Sequence, residues 1–317
     1  MSYIVRVITP DEYSAWDQMV IESPQAGLFQ TILWNQMLVE TGTVEQSWVP
    51  IVYESKEQLL GGIIVRYVVS NGKKTAVLPA FGYNGPVIAS SLNYQERHTT
   101  FNSYQVLTEL LQHVQQTVDR ALIYNQPEIW DMRAFRFLDW GIETTNIHRL
   151  HCNERNIKWF GDDSPQQKIR DTIEKYSLVE SRNYEKQVQR FCRQVVRTSR
   201  SGSYPSRSAR ALEKRIHWMT ERNLCKLVSL IGPNERELAI SLLILSKENK
   251  TIYLWDSVYL NHLSEVDILP SLIYWLCQSI PIGFERIDFS NSSNPVASRL
   301  KDQLGLELIP NYIARYR

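Results

Sequence analysis

Apolar and polar positions alternate with period two over residues 3–8, and the spacing turns helical from about Pro10. A second helical stretch starts near Thr31 and runs through "ILWNQMLVETG". Three strand-like segments follow: "WVPIVYE", "GGIIVRYVV" and "TAVLPAFG". Between the last two lies "SNGKK", whose Asn-Gly pair is suited to a two-residue hairpin turn. "FGYNGP" is a turn-rich break. Val106, Leu107, Leu110, Leu111, Val114 and Val118 recur at helical spacing within 103–120, and "PEIWDMRAF" reads as another strand. The second half repeats this order. Helices are expected over about 165–222, then strands at "LCKLVSLIG", "ELAISLLILSK" and "TIYLWDSVY", a helix at "DILPSLIYWLCQSI" and a strand at "FERIDFS". The doubled order predicts an α/β (α+β) chain of two related domains, joined near residues 150–165.

The segment after the last of these strands, "DFSNSSNPVASRLKDQLG", has clear helix punctuation. Asn294 is placed to cap a helix, Pro295 suits its first turn, and Gly305 suits a left-handed end. Val296, Leu300 and Leu304 share one stripe, which puts Lys301 at its flank, either reaching for water or bordering a cleft.

The most charged helix is "ESRNYEKQVQRFCRQVVRTSRSG". At 100° per residue, Tyr184, Val188, Phe191, Cys192 and Val195 fall on one side. Arg182, Lys186, Arg190, Arg193, Arg197 and Arg200 fall on the other with no acid among them, and Arg207, Arg210, Lys214 and Arg215 follow. Like charges at i,i+4 weaken a helix, so this stripe is either a solvated face or a surface for a polyanion.

Composition narrows the picture. The 317 residues are 43% hydrophobic and 22% charged, enough for two globular cores, and the formal net charge is only +1. Affinity for a polyanion therefore has to come from a local patch. Cys152, Cys192, Cys225 and Cys277 show no short spacing and read as reduced thiols of a cytoplasmic protein. No signal peptide pattern opens the chain, and no apolar run is long enough to span a membrane. "HRLHC" brings His148, His151 and Cys152 together, but no second ligand pair follows, so no metal site is expected. No Walker loop, GxGxxG, GxSxG or HExxH motif occurs. Asp256 and Asp288 each sit late in an apolar strand, as an ordinary strand-end acid or as part of a site.

Taken in order, several phrases resemble the FemABX family. These are "SPQAGLFQTILWNQML", the turn "LPAFGYNGPVI", the basic helix "VQRFCRQVVRTSRSG", the strand "TIYLWDSV" and the closing "DFSNSSNPVASRLKDQLG". The resemblance spans about residues 20–312. It implies two tandem GNAT-like domains, each a mixed sheet flanked by helices. The first would cover 1–155, with the C-terminal strand 306–317 returning to it, and the second 156–305, carrying the basic helix 182–200.

The resemblance further implies transfer of an aminoacyl group from aminoacyl-tRNA to an amine of a peptide, a peptidoglycan precursor or a specialised metabolite, with no bound cofactor. Lys301 matches the family's site lysine, and Asp288 would lie near the cleft floor. Substrate would contact Trp34, Tyr83, Asn84, Gly85, Tyr253, Trp255, Asp256 and Ser290. The tRNA would contact Arg182, Lys186, Arg190, Arg193, Arg197, Arg200, Arg207 and Arg210. Four departures from the pattern point to a different acceptor: Leu300 stands where the family favours Phe, Ser290 and Asn84 stand where it has Gly, and no lysine follows Trp34. Two alternatives stand beside this reading. One is an acyltransferase using acyl-CoA or an acyl-carrier protein, although the chain lacks a Gln/Arg-x-x-Gly-x-Gly/Ala pyrophosphate loop. The other is a non-catalytic RNA-binding or scaffold protein.

Overall fold

The computed structural model describes every residue except 1–2, 43–45, 56–57, 77–81, 93–98, 153–175, 181–183, 199–207, 261–264, 280, 282 and 290–294. The chain divides into two compact units, Met1–Thr145 with Pro310–Arg317, and Asn146–Ile309.

In the first unit, β1 (Tyr3–Val7), β2 (Ser47–Ser55), β3 (Gln58–Ser70) and β4 (Lys73–Ala76) pair in that order, all antiparallel, and β5 (Val87–Ile88) adds to β3. The β3–β4 turn is the expected Asn71-Gly72 pair, with φ of 53° and 73° and Ser70 facing Lys73 across it. β6 (Ala121–Tyr124) lies parallel to the end of β4 through a Thr75–Arg120 bridge and antiparallel to the last residues of β13 (Glu307–Tyr316). Alternation along β2 and β3 gives each face its own core. Val52 and Ile64 pack under α1 (Tyr13–Glu22) and α2 (Ile32–Glu40), with Trp16, Met19 and Ile32. Ile51, Tyr53, Ile63 and Val65 pack against Val106, Leu107, Leu110, Leu111 and Val114 of α3 (Thr99–Thr117). "PEIWDMRAF", expected as a strand, is a turn leading into the short helix α4 (Arg133–Phe137). Its apolar residues Ile129, Met132, Ala134 and Phe135 join the α3 core at helical rather than alternate spacing.

In the second unit the strand order is β7, β12, β11, β10, β9, β8. β7 (Gly141–His151) begins in the first unit and pairs antiparallel with β12 (Arg286–Phe289), which runs parallel to β11 (Thr251–Tyr259). β10 (Glu237–Ser246), β9 (Cys225–Ile231) and β8 (Ser177–Glu180) complete the sheet antiparallel. Two of these strands are corrections: β8 lies inside the region expected to be helical, and β7 was not expected, because its first half carries mostly exposed polar residues. One face bears Leu150, Leu230, Leu245, Ile252, Leu254, Ile287 and Phe289, covered by α7 (Glu265–Gln278) and α8 (Pro295–Gln303). The other face, with Cys225 and Ser229, is covered by α5 (Tyr184–Thr198) and α6 (Ala209–Glu221).

Candidate active site

In the second unit β12 runs parallel to β11. Thr251–Leu254 pair with Arg286–Phe289, and beyond Leu254 β11 continues to Tyr259 paired with β10. Trp255 is squeezed out where the β10–β11 register jumps from Leu242–Asp256 to Leu243–Leu254. In open α/β sheets, ligands bind at the carboxyl edge of the parallel strands. Trp255 and Asp256 lie on this edge, both partly exposed, and Asp256 Oδ1 accepts from the Ser257 amide at 2.9 Å.

α8 follows β12. Pro295 opens it and Gly305, at φ 78°, ends it, while the expected cap Asn294 and the candidate Ser290 lie outside the described residues. The inward stripe differs from the expected one. Val296 is 57% exposed, whereas Ala297 and Leu304 are buried and Lys301 is only 3% exposed. Leu300 and Leu304 pack on the core that holds Ile287 and Phe289, and this rotation carries Lys301 inward. An ammonium withdrawn this far from water is retained only in polar company.

Asp288 is 3% exposed and points to the opposite sheet face from Ile287 and Phe289. Its oxygens accept from Arg149 Nε at 2.6 Å and Nη2 at 2.7 Å, a two-pronged ion pair between cross-strand partners. Arg149 was absent from the sequence-level candidates. Tyr253 is the neighbour of Asp288 on β11, but its hydroxyl accepts from Asn249 Nδ2 at 2.9 Å, which turns the phenol toward the β10–β11 turn.

His148 and His151, three apart on a strand, face opposite ways. His148 is buried with Nε2 3.1 Å from Asp302 Oδ1; His151 is exposed with Nε2 3.0 Å from Glu307. No group of three metal-binding side chains occurs among the described residues. Burial pushes the Cys152 and Cys225 thiols up to about 11 and those of Cys192 and Cys277 up to about 12, so none is primed as a nucleophile.

The charged helix α5 is amphipathic as expected. Val188, Phe191, Cys192 and Val195 are buried against the sheet, while Lys186, Arg190, Arg193 and Arg197 are exposed. Lys186, Gln189, Arg190, Arg193 and Gln194 line a shallow surface hollow of about 410 Å³. The stripe is not wholly unopposed, because Arg190 pairs with Glu237 of β10. Arg210 is exposed on α6; Arg182, Arg200 and Arg207 lie outside the described residues.

The first unit's candidates are engaged in structure. Trp34 is 1% exposed and meets Phe29 edge-on, with ring centres 5.0 Å apart; Phe29 in turn meets Tyr83. The Asn84 side chain bridges the backbone of β6, donating to Leu122 O at 3.1 Å and accepting from Tyr124 N at 2.7 Å. Gly85 is a true close approach, for a Cβ there would lie 2.8 Å from Asn125 Oδ1.

No protein-family model matches the sequence, and no curated protein matches it significantly. Solved structures do. FemX superposes with a TM-score of 0.64 at 11% identity, covering 98% of this chain and 97% of FemX. The chain has a FemX-like fold. L-PGS from Bacillus licheniformis matches with a TM-score of 0.55 at 12% identity over 98% of this chain and 93% of that one. A GNAT-family acetyltransferase from Colwellia psychrerythraea matches with a TM-score of 0.55 at 10% identity over 98% of each chain. The architecture is therefore that of tandem GNAT-like domains, each a mixed sheet flanked by helices.

Proposed function

We propose that the protein is an N-acyltransferase that moves an aminoacyl group from aminoacyl-tRNA to a primary amine, on a peptide, a peptidoglycan precursor or a specialised metabolite. The observation that carries this reading is the interior position of Lys301 on the helix that follows β12, in a chain with a FemX-like fold. In the reaction, the neutral amine attacks the ester carbonyl of the charged tRNA. A C–N bond forms, and electron density shifts to the carbonyl oxygen. The Lys301 ammonium stabilises that oxyanion more than it stabilises the ground-state carbonyl, which is what acceleration requires. Collapse breaks the C–O bond to the ribose; the ribose oxygen takes up a proton and the amine nitrogen gives one up. Arg149 fixes Asp288 and with it the end of β12, and Trp255 and Asp256 border the acceptor.

The exposed cations Lys186, Arg193 and Arg197 of α5, with Arg210 of α6, form the contact to the tRNA backbone. No helix among the described residues is long and apolar enough to cross a membrane, and we assign the reaction to the cytoplasm, where charged tRNA is found. A thioester donor, acyl-CoA or acyl-carrier protein, is the competing reading favoured by the likeness to the Colwellia acetyltransferase. The protein is incubated with a pool of charged tRNA and a panel of small primary amines and lysyl peptides, with and without RNase, and with acyl-CoA in parallel. Amide products that vanish with RNase support the proposal. Products that survive RNase and need a thioester overturn the tRNA donor, and RNA binding with a steep salt dependence but no product supports a non-catalytic RNA-binding protein.

A further inference from the structure

His148 is a buried polar residue in an apolar setting. It is 2% exposed, and its cross-strand partner is Phe289. It shares the sheet face of Leu150, Ile287 and Phe289, the face on which α8 lies. A leucine would fill this space without any desolvation cost. The imidazole instead places Nε2 3.1 Å from Oδ1 of Asp302, the residue that follows Lys301, and Asp302 is itself half exposed. The next residue of β7, Arg149, faces the other way and holds Asp288. Two consecutive residues of one strand thus fix α8 from one face of the sheet and β12 from the other.

The contact has leverage. Apolar packing of Leu300 and Leu304 sets how close α8 lies to the sheet, but tolerates rotation of the helix about its axis. A directional bond at Asp302 does not. Turning the helix by about 10° would swing a group about 8 Å from its axis by about 1.4 Å. A misplacement of about 1 Å is enough to cost roughly 100-fold in rate.

We infer that His148 is a positioning residue that, through Asp302, sets the rotation of α8 and so holds Lys301 in place. This rests on the proposed role of Lys301, and the test separates the two. His148→Leu and Asp302→Ala remove the bond, the first keeping the packing and the second leaving the histidine in place. His148→Gln keeps a donor near the position of Nε2. The first readout is labelling of Lys301 by an amine-reactive ester, followed by peptide mass spectrometry, with hydrogen exchange of β9 and β10 as the control for an intact fold. Lys301 labelling is expected to rise about tenfold in His148→Leu and Asp302→Ala, to stay at the wild-type level in His148→Gln, and to rise without change in the control strands. Unchanged Lys301 labelling in His148→Leu overturns the inference whatever the activity. The second readout is acyl transfer. The same two variants should lose 10- to 100-fold in kcat with little change in KM, and His148→Leu should have no further effect in a Lys301→Met background. If Lys301→Met keeps full activity, the catalytic reading of Lys301 fails, while the labelling result still reports on the positioning.

Discussion

Arg149 on β7 and Asp288 on β12 face each other across the sheet, with Nε to Oδ1 at 2.6 Å and side chains only 7% and 3% exposed. Such a pair is costly to bury and costly to break, because removing one partner leaves the other charge stranded in the interior. Arg149→Met alone is expected to destabilise the protein by about 3–5 kcal/mol. Arg149→Met with Asp288→Leu is expected to recover most of that loss. Urea unfolding of the three proteins measures both numbers; equal stabilities for the single and double variants would show that the pair does not act as a unit.

The basic face of α5 makes a separable prediction. Arg193→Glu with Arg197→Glu should weaken RNA binding and lower the slope of log affinity against log salt by about two, one for each lost phosphate contact. Arg190→Glu mixes two effects, because it also puts a like charge against Glu237. Filter binding across a salt series checks this, and an unchanged slope in the double variant would make the stripe a solvated surface.

Near the N-terminus, Arg6 bridges Glu12, at 2.8 and 2.5 Å, and Glu54, at 2.9 and 2.8 Å. The Arg6 hydrogen bonds, helped by the Thr9 amide, hold the Glu12 carboxyl down at about 2. A depressed folded-state value contributes stability above the unfolded value near 4.5, and that contribution is lost as pH falls toward 2. Glu12→Gln should therefore lower stability at neutral pH and flatten its decline between about pH 4.5 and 2. Thermal melts across that range test the difference, which the partial exposure of both side chains keeps small.

Gly62 lies where β3 passes under α1. A Cβ there would come within 2.3 Å of the Trp16 ring and 2.7 Å of Ile51 O. Gly62→Ala is expected to cost at least about 1–3 kcal/mol, and Gly72→Ala, in open space but at positive φ, should cost less. Chemical denaturation ranks the two.

Much of the fold was legible because its signals are local. The Asn71-Gly72 turn, the helical spacing of α3 and the two-sided pattern of α5 each depend on neighbours within a few residues. The failures have equally physical causes. In "PEIWDMRAF", short apolar spacing fits either a strand or a turn entering a helix, and contact with α3 decides between them. β7 is polar in its first half, so it carries no hydrophobic alternation there. On α8, Val296, Leu300 and Leu304 form a plausible stripe, yet Val296 faces water and Lys301 faces inward. That rotation is tied to His148, 154 residues earlier in the chain. Arg149 and Asp288 are separated by 139 residues, and no pattern in the sequence couples them.

The most direct test of the account is a single-turnover measurement with charged tRNA and an amine acceptor, comparing wild type with Lys301→Met. Removing one donor to an oxyanion costs about 100- to 1000-fold. The account predicts a loss of that size, with tRNA binding unchanged and the fold intact by hydrogen exchange. Equal rates in the two proteins would contradict it.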